Sequence, residues 1–155
     1  NIVFLDVQYI IEKSEIGIFY KNKIKIFKEK KLKDIISQEN EIKDKENEIK
    51  AQKNILSKDK INLKVKNINK LLKNYQNNRN KFNKEIDEQK KNYTSKILKI
   101  LNPLITEYVE KNKITLVIDK KNILIGINNL DITNNILEIL NKYTADNKLI
   151  NNDEQ

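Results

Sequence analysis

The sequence contains neither cysteine nor histidine. That removes thiolate and imidazole nucleophile systems, Cys/His zinc sites and any histidine pH switch. Only two glycines occur, Gly17 and Gly126, so no glycine-rich loop can cradle a phosphate chain. The expectation is therefore a protein that is not an enzyme and carries no cofactor or metal. No apolar run approaches the roughly 18 residues of a membrane-spanning helix. The missing cysteines leave the redox compartment open. The first residue, Asn1, is not a methionine, which points to an upstream segment removed as a signal peptide or by trimming.

What remains is lysine, asparagine and isoleucine. The 155 residues are enough for one domain with a core, but 34% are charged and 38% hydrophobic. With one proline, two glycines and a mean hydropathy of −0.71, this composition fits an elongated helical protein better than a compact α/β domain. The net charge of +9 is unevenly spread: residues 21–100 carry +13, and the two ends together carry −4.

Helical periodicity dominates the centre. Steps of four and three from Ile61 reach Val65, Ile68, Leu72, Tyr75, Arg79, Phe82, Ile86, Gln89, Tyr93, Ile97, Ile100 and Leu104, and eleven of these thirteen positions are apolar or aromatic. Such a spacing is a seam for packing against another helix. The preceding arm starts densely, with Ile16, Phe19, Ile24, Phe27, Leu32, Ile35 and Ile36, then thins to Ile35, Ile42, Ile49 and Leu56, one apolar residue per heptad. The distal outgoing arm is expected to be solvated and mobile. Ser57-Lys58-Asp59-Lys60 is the candidate tip, with Ser57 or Asp59 capping the return helix; a single uninterrupted helix is the alternative. Arms of this length reach roughly 65–75 Å.

The ends differ in character. Ile2-Val3-Phe4-Leu5 reads as a buried strand, Val7, Ile10 and Ile11 as a helical face, and Ser14 as a helix N-cap. Asn102-Pro103 predicts a kink or a new helix start near the base of the return arm. Ile114–Ile118 and Ile123–Ile127, flanking Asp119-Lys120-Lys121-Asn122, read as a strand–turn–strand hairpin, giving about three strands per chain. Thr133 is the expected cap of a last short helix that buries Ile136, Leu137, Ile139, Leu140 and Tyr143. The fold class is therefore mainly α with a small β body. Residues 14–101 form a long antiparallel helical hairpin, residues 1–13 and 102–144 a body, and residues 145–155 a disordered tail. Asp6, Asp119 and Asp131 sit at strand ends and helix starts, where turns and caps explain them better than metal or acid–base chemistry.

Several of these residues also carry a family resemblance. Ile2-Val3-Phe4-Leu5-Asp6-Val7-Gln8 followed by Ile10-Ile11, Ser14 and Gly17, together with Leu116-Val117-Ile118-Asp119, Leu130-Asp131-Ile132-Thr133 and the Leu137/Leu140 helix, resembles the Skp/OmpH family of periplasmic chaperones. Asn102-Pro103 recurs in some members. The chain departs from the family at Ile18, Phe19 and Tyr20, where small residues are usual. The resemblance implies a periplasmic homotrimer with a β-rich body and helical tentacles around a cavity. It also implies an ATP-independent holdase that keeps unfolded outer-membrane proteins soluble for delivery.

On that reading the diffuse client-binding candidates are Ile42, Ile49, Leu56, Lys64, Lys66, Lys70, Lys73, Arg79, Lys81 and Lys84. The three apolar residues read better as contacts between the arms than as client contacts. The oligomerisation candidates are Ile2, Val3, Phe4, Leu5, Leu116, Val117, Ile118, Ile123, Leu124, Ile125, Leu137 and Leu140. The alternative is a basic coiled-coil protein that binds nucleic acid or anionic membrane surfaces. A single arginine and no dense basic stripe interleaved with exposed aromatics argue against nucleic acid; weak contact with an anionic membrane surface stays compatible with the basic arms.

Overall fold

The computed structural model describes residues 1–150. In chain order the elements are β1 (Ile2–Leu5), α1 (Val7–Lys13), α2 (Glu15–Gln52), α3 (Lys58–Lys111), β2 (Leu116–Asp119) and α4 (Thr133–Asp146), with short 3-10 turns at Lys120–Asn122 and Asn128–Leu130. Two compact units emerge: residues 1–23 with those from 90 onward, and Ile24–Gln89. The base turns of both long helices, residues 14–23 and 90–101, thus belong with the body.

The first unit is built around a small parallel sheet. β1 is apolar at every position and buries Val3, Phe4 and Leu5, as expected for a strand covered on both faces. It pairs with β2 in register Ile2↔Leu116 through Leu5↔Asp119. Parallel pairing demands a long crossover between the strands, and here that crossover contains α1, α2 and α3. On its other edge β1 forms a single bridge, Phe4 to Asp131, through Ile132 N–H donating to the Phe4 carbonyl. Val3, Leu5, Ile10, Ile16, Ile97, Leu101, Ile132, Ile136 and Leu140 make one continuous core. The strands, α1, the base turns and α4 all contribute to it.

Local chemistry sets the helix boundaries. Asp6 caps α1, its carboxylate accepting from Tyr9 N–H at 2.8 Å. Ser14 ends α1 and caps α2, its buried hydroxyl accepting from Gly17 N–H at 3.1 Å. Gly17 has no substitute at this junction, because a Cβ there would collide with the Ile11 carbonyl oxygen. Tyr20 and Tyr93 stack across the two helices at 4.2 Å and 11°.

Four expectations need correction. No second strand forms at Ile123–Ile127: Asp119 accepts from Lys121 N–H and starts a 3-10 turn at Lys120–Asn122, and the following chain does not return along the open edge of β2. The sheet therefore has two strands, not three. α3 continues through Pro103, so no new helix starts there. Pro103 and Lys99, whose carbonyl loses its donor, are both exposed, so water can replace the missing bond while buried Ile97 and Leu101 hold the helix. α4 starts at Thr133 itself, and the capping acceptor is Asp131, which takes the Thr133 N–H at 3.0 Å. Finally, Ala145 and Asp146 lie in α4 and Leu149 packs on the core, so the expected tail does not begin at 145. Residues 151–155 of that tail lie outside the described residues.

The second unit is a pair of antiparallel helices. As the outgoing partner moves from Glu48 to Gln38, the returning partner moves from Lys64 to Asn78. Ile35, Ile42, Ile68 and Ile86 are its buried residues, and Leu32 and Ile36 face solvent. The turn spans residues 53–57, slightly before the expected position. The Gln52 carbonyl accepts from both Ile55 N–H and Leu56 N–H, closing α2, and α3 starts just after Ser57, whose carbonyl accepts from Ile61 N–H.

Candidate functional site

Two surfaces concentrate what the sequence singles out. The first is the lysine-rich face of the hairpin unit. Lys66, Lys70, Lys73, Arg79, Lys81 and Lys84 are all exposed. Lys66, Lys70, Lys73 and Lys84 form no ion pair among the described residues; Lys81 approaches Glu85 at 3.9 Å, and Arg79 lies over the Tyr75 ring at 5.7 Å. Lys64 is different. Its ammonium bridges the arms to Glu48 at 2.5 Å, and that hydrogen bond holds the Glu48 carboxyl below its usual pKa range. Lys64 is thus committed to the hairpin itself.

The apolar candidates split in the same way. Ile42 is buried, and Ile49 and Leu56 are half-buried, so these three serve the seam between the arms. That seam is interrupted at mid-length, where Gln38 accepts from Asn78 Nδ2 at 3.1 Å. A groove of about 450 Å³ opens there, lined by Ile42, Leu71, Gln38, Asn74 and Asn78. Polar residues at a seam position give up apolar contact, so the hairpin is held weakly at this level. The sequence pattern marked the thinning of the outgoing arm between Ile35 and Ile42, where Gln38 lies, and Arg79 as a break on the return arm, but not the pairing of Gln38 with Asn78.

The second surface lies on the body. Of the twelve oligomerisation candidates, Val3, Leu5 and Leu140 are core residues of the single chain and Phe4 is buried with them. Val117, Ile118, Ile123 and Leu137 are half-buried. Four face outward: Ile2 and Leu116, a directly paired couple at the start of the sheet, and Leu124 and Ile125, which are 96% and 90% exposed. Ile127 joins them at 66%. β2 also keeps one edge unpaired, since β1 occupies the other.

An electrostatic clasp secures this end of the body. Lys120 donates to Asp131 at 2.7 Å, and Asp131 accepts from both the amide and the hydroxyl of Thr133, whose oxygen in turn accepts from Asp6 N–H at 3.0 Å. Partial burial works to raise the Asp131 pKa, but the bonds from Lys120 and Thr133 outweigh it and hold the carboxyl below its ordinary range. Asp6, Asp119 and Asp131 are thereby all engaged as caps and turn acceptors.

A family model described as outer membrane protein (OmpH-like) matches residues 1–140, most of the chain. The chain belongs to the OmpH-like family. A crystal structure of an OmpH-like protein from Caulobacter crescentus CB15, solved as a candidate outer membrane chaperone, shares the fold: TM-score 0.82, 13% identity, covering 92% of this chain and 84% of that one. At that identity the likeness is one of fold alone. No functionally curated protein has significant sequence similarity to the chain. Both end motifs lie within the residues the OmpH-like family model matches. Among the described residues no helix is long and apolar enough to cross a membrane, and no group of acidic residues could hold a metal ion.

Proposed function

We propose that this chain is a periplasmic, ATP-independent holdase that keeps unfolded outer-membrane proteins soluble, acting as a homotrimer joined through its small sheet. The observation that carries the reading is the row of exposed cations on a thinly packed hairpin. Lys66, Lys70, Lys73 and Lys84 have no acidic partner among the described residues, so they are available to an acidic, unfolded chain. Each contact is weak, but several arms around one client raise its effective concentration and turn weak contacts into avidity. Membership of the OmpH-like family and the fold shared with the Caulobacter protein support the chaperone role. The exposed Ile2, Leu116, Leu124 and Ile125 beside an unpaired strand edge support assembly.

The experiment is dilution of a urea-unfolded outer-membrane barrel protein into buffer with and without the chain, followed by light scattering. Suppression of aggregation below one trimer per client, weaker at high salt, is the expected result. No suppression at low salt refutes the holdase. Tighter binding to duplex DNA than to the unfolded barrel would favour the nucleic-acid alternative.

A further inference from the structure

The mid-arm groove has a chemistry that joining two helices does not require. Five of the seven residues between Lys73 and Lys81 carry side-chain amides: Asn74, Gln76, Asn77, Asn78 and Asn80. Asparagine is a poor helix former, so this run weakens α3 rather than supporting it. Asn74, Asn77 and Asn78 line the groove with Gln38 of α2, and the apolar part of the lining is buried Ile42 and half-buried Leu71. Gln38 and Asn78 use one bond on each other. A primary amide offers two donors and two lone pairs, so most of their capacity stays open. The side chains of Asn74 and Asn77 have no hydrogen-bond partner among the described residues. The groove also adjoins the cation row. Lys66, Lys70, Lys73, Asn77 and Lys84 follow one another at steps of four, three, four and seven, which is one face of α3. No acid occurs between Asp59 and Glu85 to interrupt it.

We infer that this groove is a main-chain subsite, in which Gln38, Asn74, Asn77 and Asn78 exchange hydrogen bonds with the peptide groups of an extended client segment. The inference rests on the holdase reading for the identity of that client. A side-chain amide is the same functional group as a peptide bond, and it donates and accepts in the same way. An extended segment presents its peptide groups along its edges while its side chains alternate between two faces. One set can then meet Ile42 and Leu71, and acidic members of the other are left to the adjoining lysines. Main-chain bonding is indifferent to sequence, so one site serves clients of unlike sequence. It also discriminates by folding state. A folded chain has paired its own backbone, so a client leaves the groove as it folds, with no nucleotide needed.

The probe is a short unstructured peptide of alternating valine and serine with terminal aspartates, compared with its depsipeptide analogue, in which alternate amide bonds are esters. The esters remove N–H donors and leave side chains and charge unchanged. In titrations of the full chain, the all-amide peptide should bind about tenfold more tightly, as two hydrogen bonds of ordinary net strength imply. That ratio should survive high salt, because neutral hydrogen bonds are not screened, whereas the affinity due to the lysines falls. Asn74→Leu combined with Asn77→Leu should bind the two peptides equally, with helical circular dichroism retained because leucine is the better helix former. No binding of the all-amide peptide, equal affinity of the parent for both peptides, a ratio lost at high salt, or an unchanged ratio in the double variant would overturn the inference. Suppression of barrel-protein aggregation by the parent chain reports on the holdase separately: if it fails while the amide-to-ester ratio holds, the subsite stands and the holdase reading does not.

Discussion

At the scale of single residues, two positions carry more than their size suggests. Gly17 lies where α1 hands over to α2, against the Ile11 backbone carbonyl, and backbone cannot swing aside as a side chain does. Gly17→Ala should cost about 1–3 kcal/mol of unfolding free energy, measured by urea denaturation, because overpacking must displace the α1–α2 junction. Asp131 ties Lys120, Thr133 and the start of α4 together. Its lowered pKa means that its stabilisation is complete above the ordinary carboxylate range and is lost as pH falls through its own lower value. Lys120, raised chiefly by its hydrogen bond to Asp131, contributes fully below the ordinary lysine range and loses that contribution as pH rises through its raised value. The pair therefore acts across neutral pH. Asp131→Ala should destabilise the protein by about 1 kcal/mol at neutral pH through the lost cap. The gap to the parent should close as pH is lowered; a gap independent of pH would show that the carboxylate charge is irrelevant.

At the scale of elements, the hairpin's stiffness is graded by what fills its seam. Gln38 occupies a position that an apolar residue would fill in an uninterrupted coiled coil, and it faces the mid-arm groove. Gln38→Leu should raise the thermal midpoint, with a gain of up to about 1 kcal/mol, while slowing local opening detected by hydrogen exchange in the arm. The seam itself was legible in the sequence because 3–4 spacing is a local signal: Ile68, Ile86 and Ile97 are buried where the pattern places them. β1, the caps at Asp6 and Ser14 and the return start after Ser57 were legible for the same reason. Ile123–Ile127 was not. Its β-branched residues describe a strand correctly in local terms, but a strand needs a partner, and after the 3-10 turn at Lys120–Asn122 the segment does not lie along the open edge of β2. Of the two outcomes expected at Pro103, a new helix start does not occur, because a proline's cost depends on whether the orphaned carbonyl meets water, which composition does not reveal. If the outward-facing 124–125 segment is where copies meet, Leu124→Asp with Ile125→Asp should reduce the mass measured by light scattering below that of the parent assembly while helicity is retained. An unchanged mass would place assembly elsewhere.

At the scale of the molecule, charge is the organising quantity. Residues 21–100 hold +13 and the remaining ends −4, so the cations concentrate on the helices with the least to bury, while residues 1–20 carry −2 and residues 101–150 are neutral. The Skp/OmpH resemblance in the terminal motifs and the match of the OmpH-like model to residues 1–140 agree on the family, while the division of labour follows from the chain's own physics. On the proposed reading the hairpin surface serves the client through many weak, screenable contacts, and the exposed apolar side chains of the body serve assembly. The measurement that tests this account most directly is the affinity for a fluorescently labelled, urea-unfolded outer-membrane barrel protein as a function of salt. It is made for the parent chain and for the variant with Lys66, Lys70, Lys73 and Lys84 changed to Gln. Affinity should fall steadily as salt rises, and the variant should bind several-fold more weakly at low salt, with the difference vanishing at high salt as screening sets in. Equal affinity of the two proteins at low salt, or no salt dependence, would contradict it.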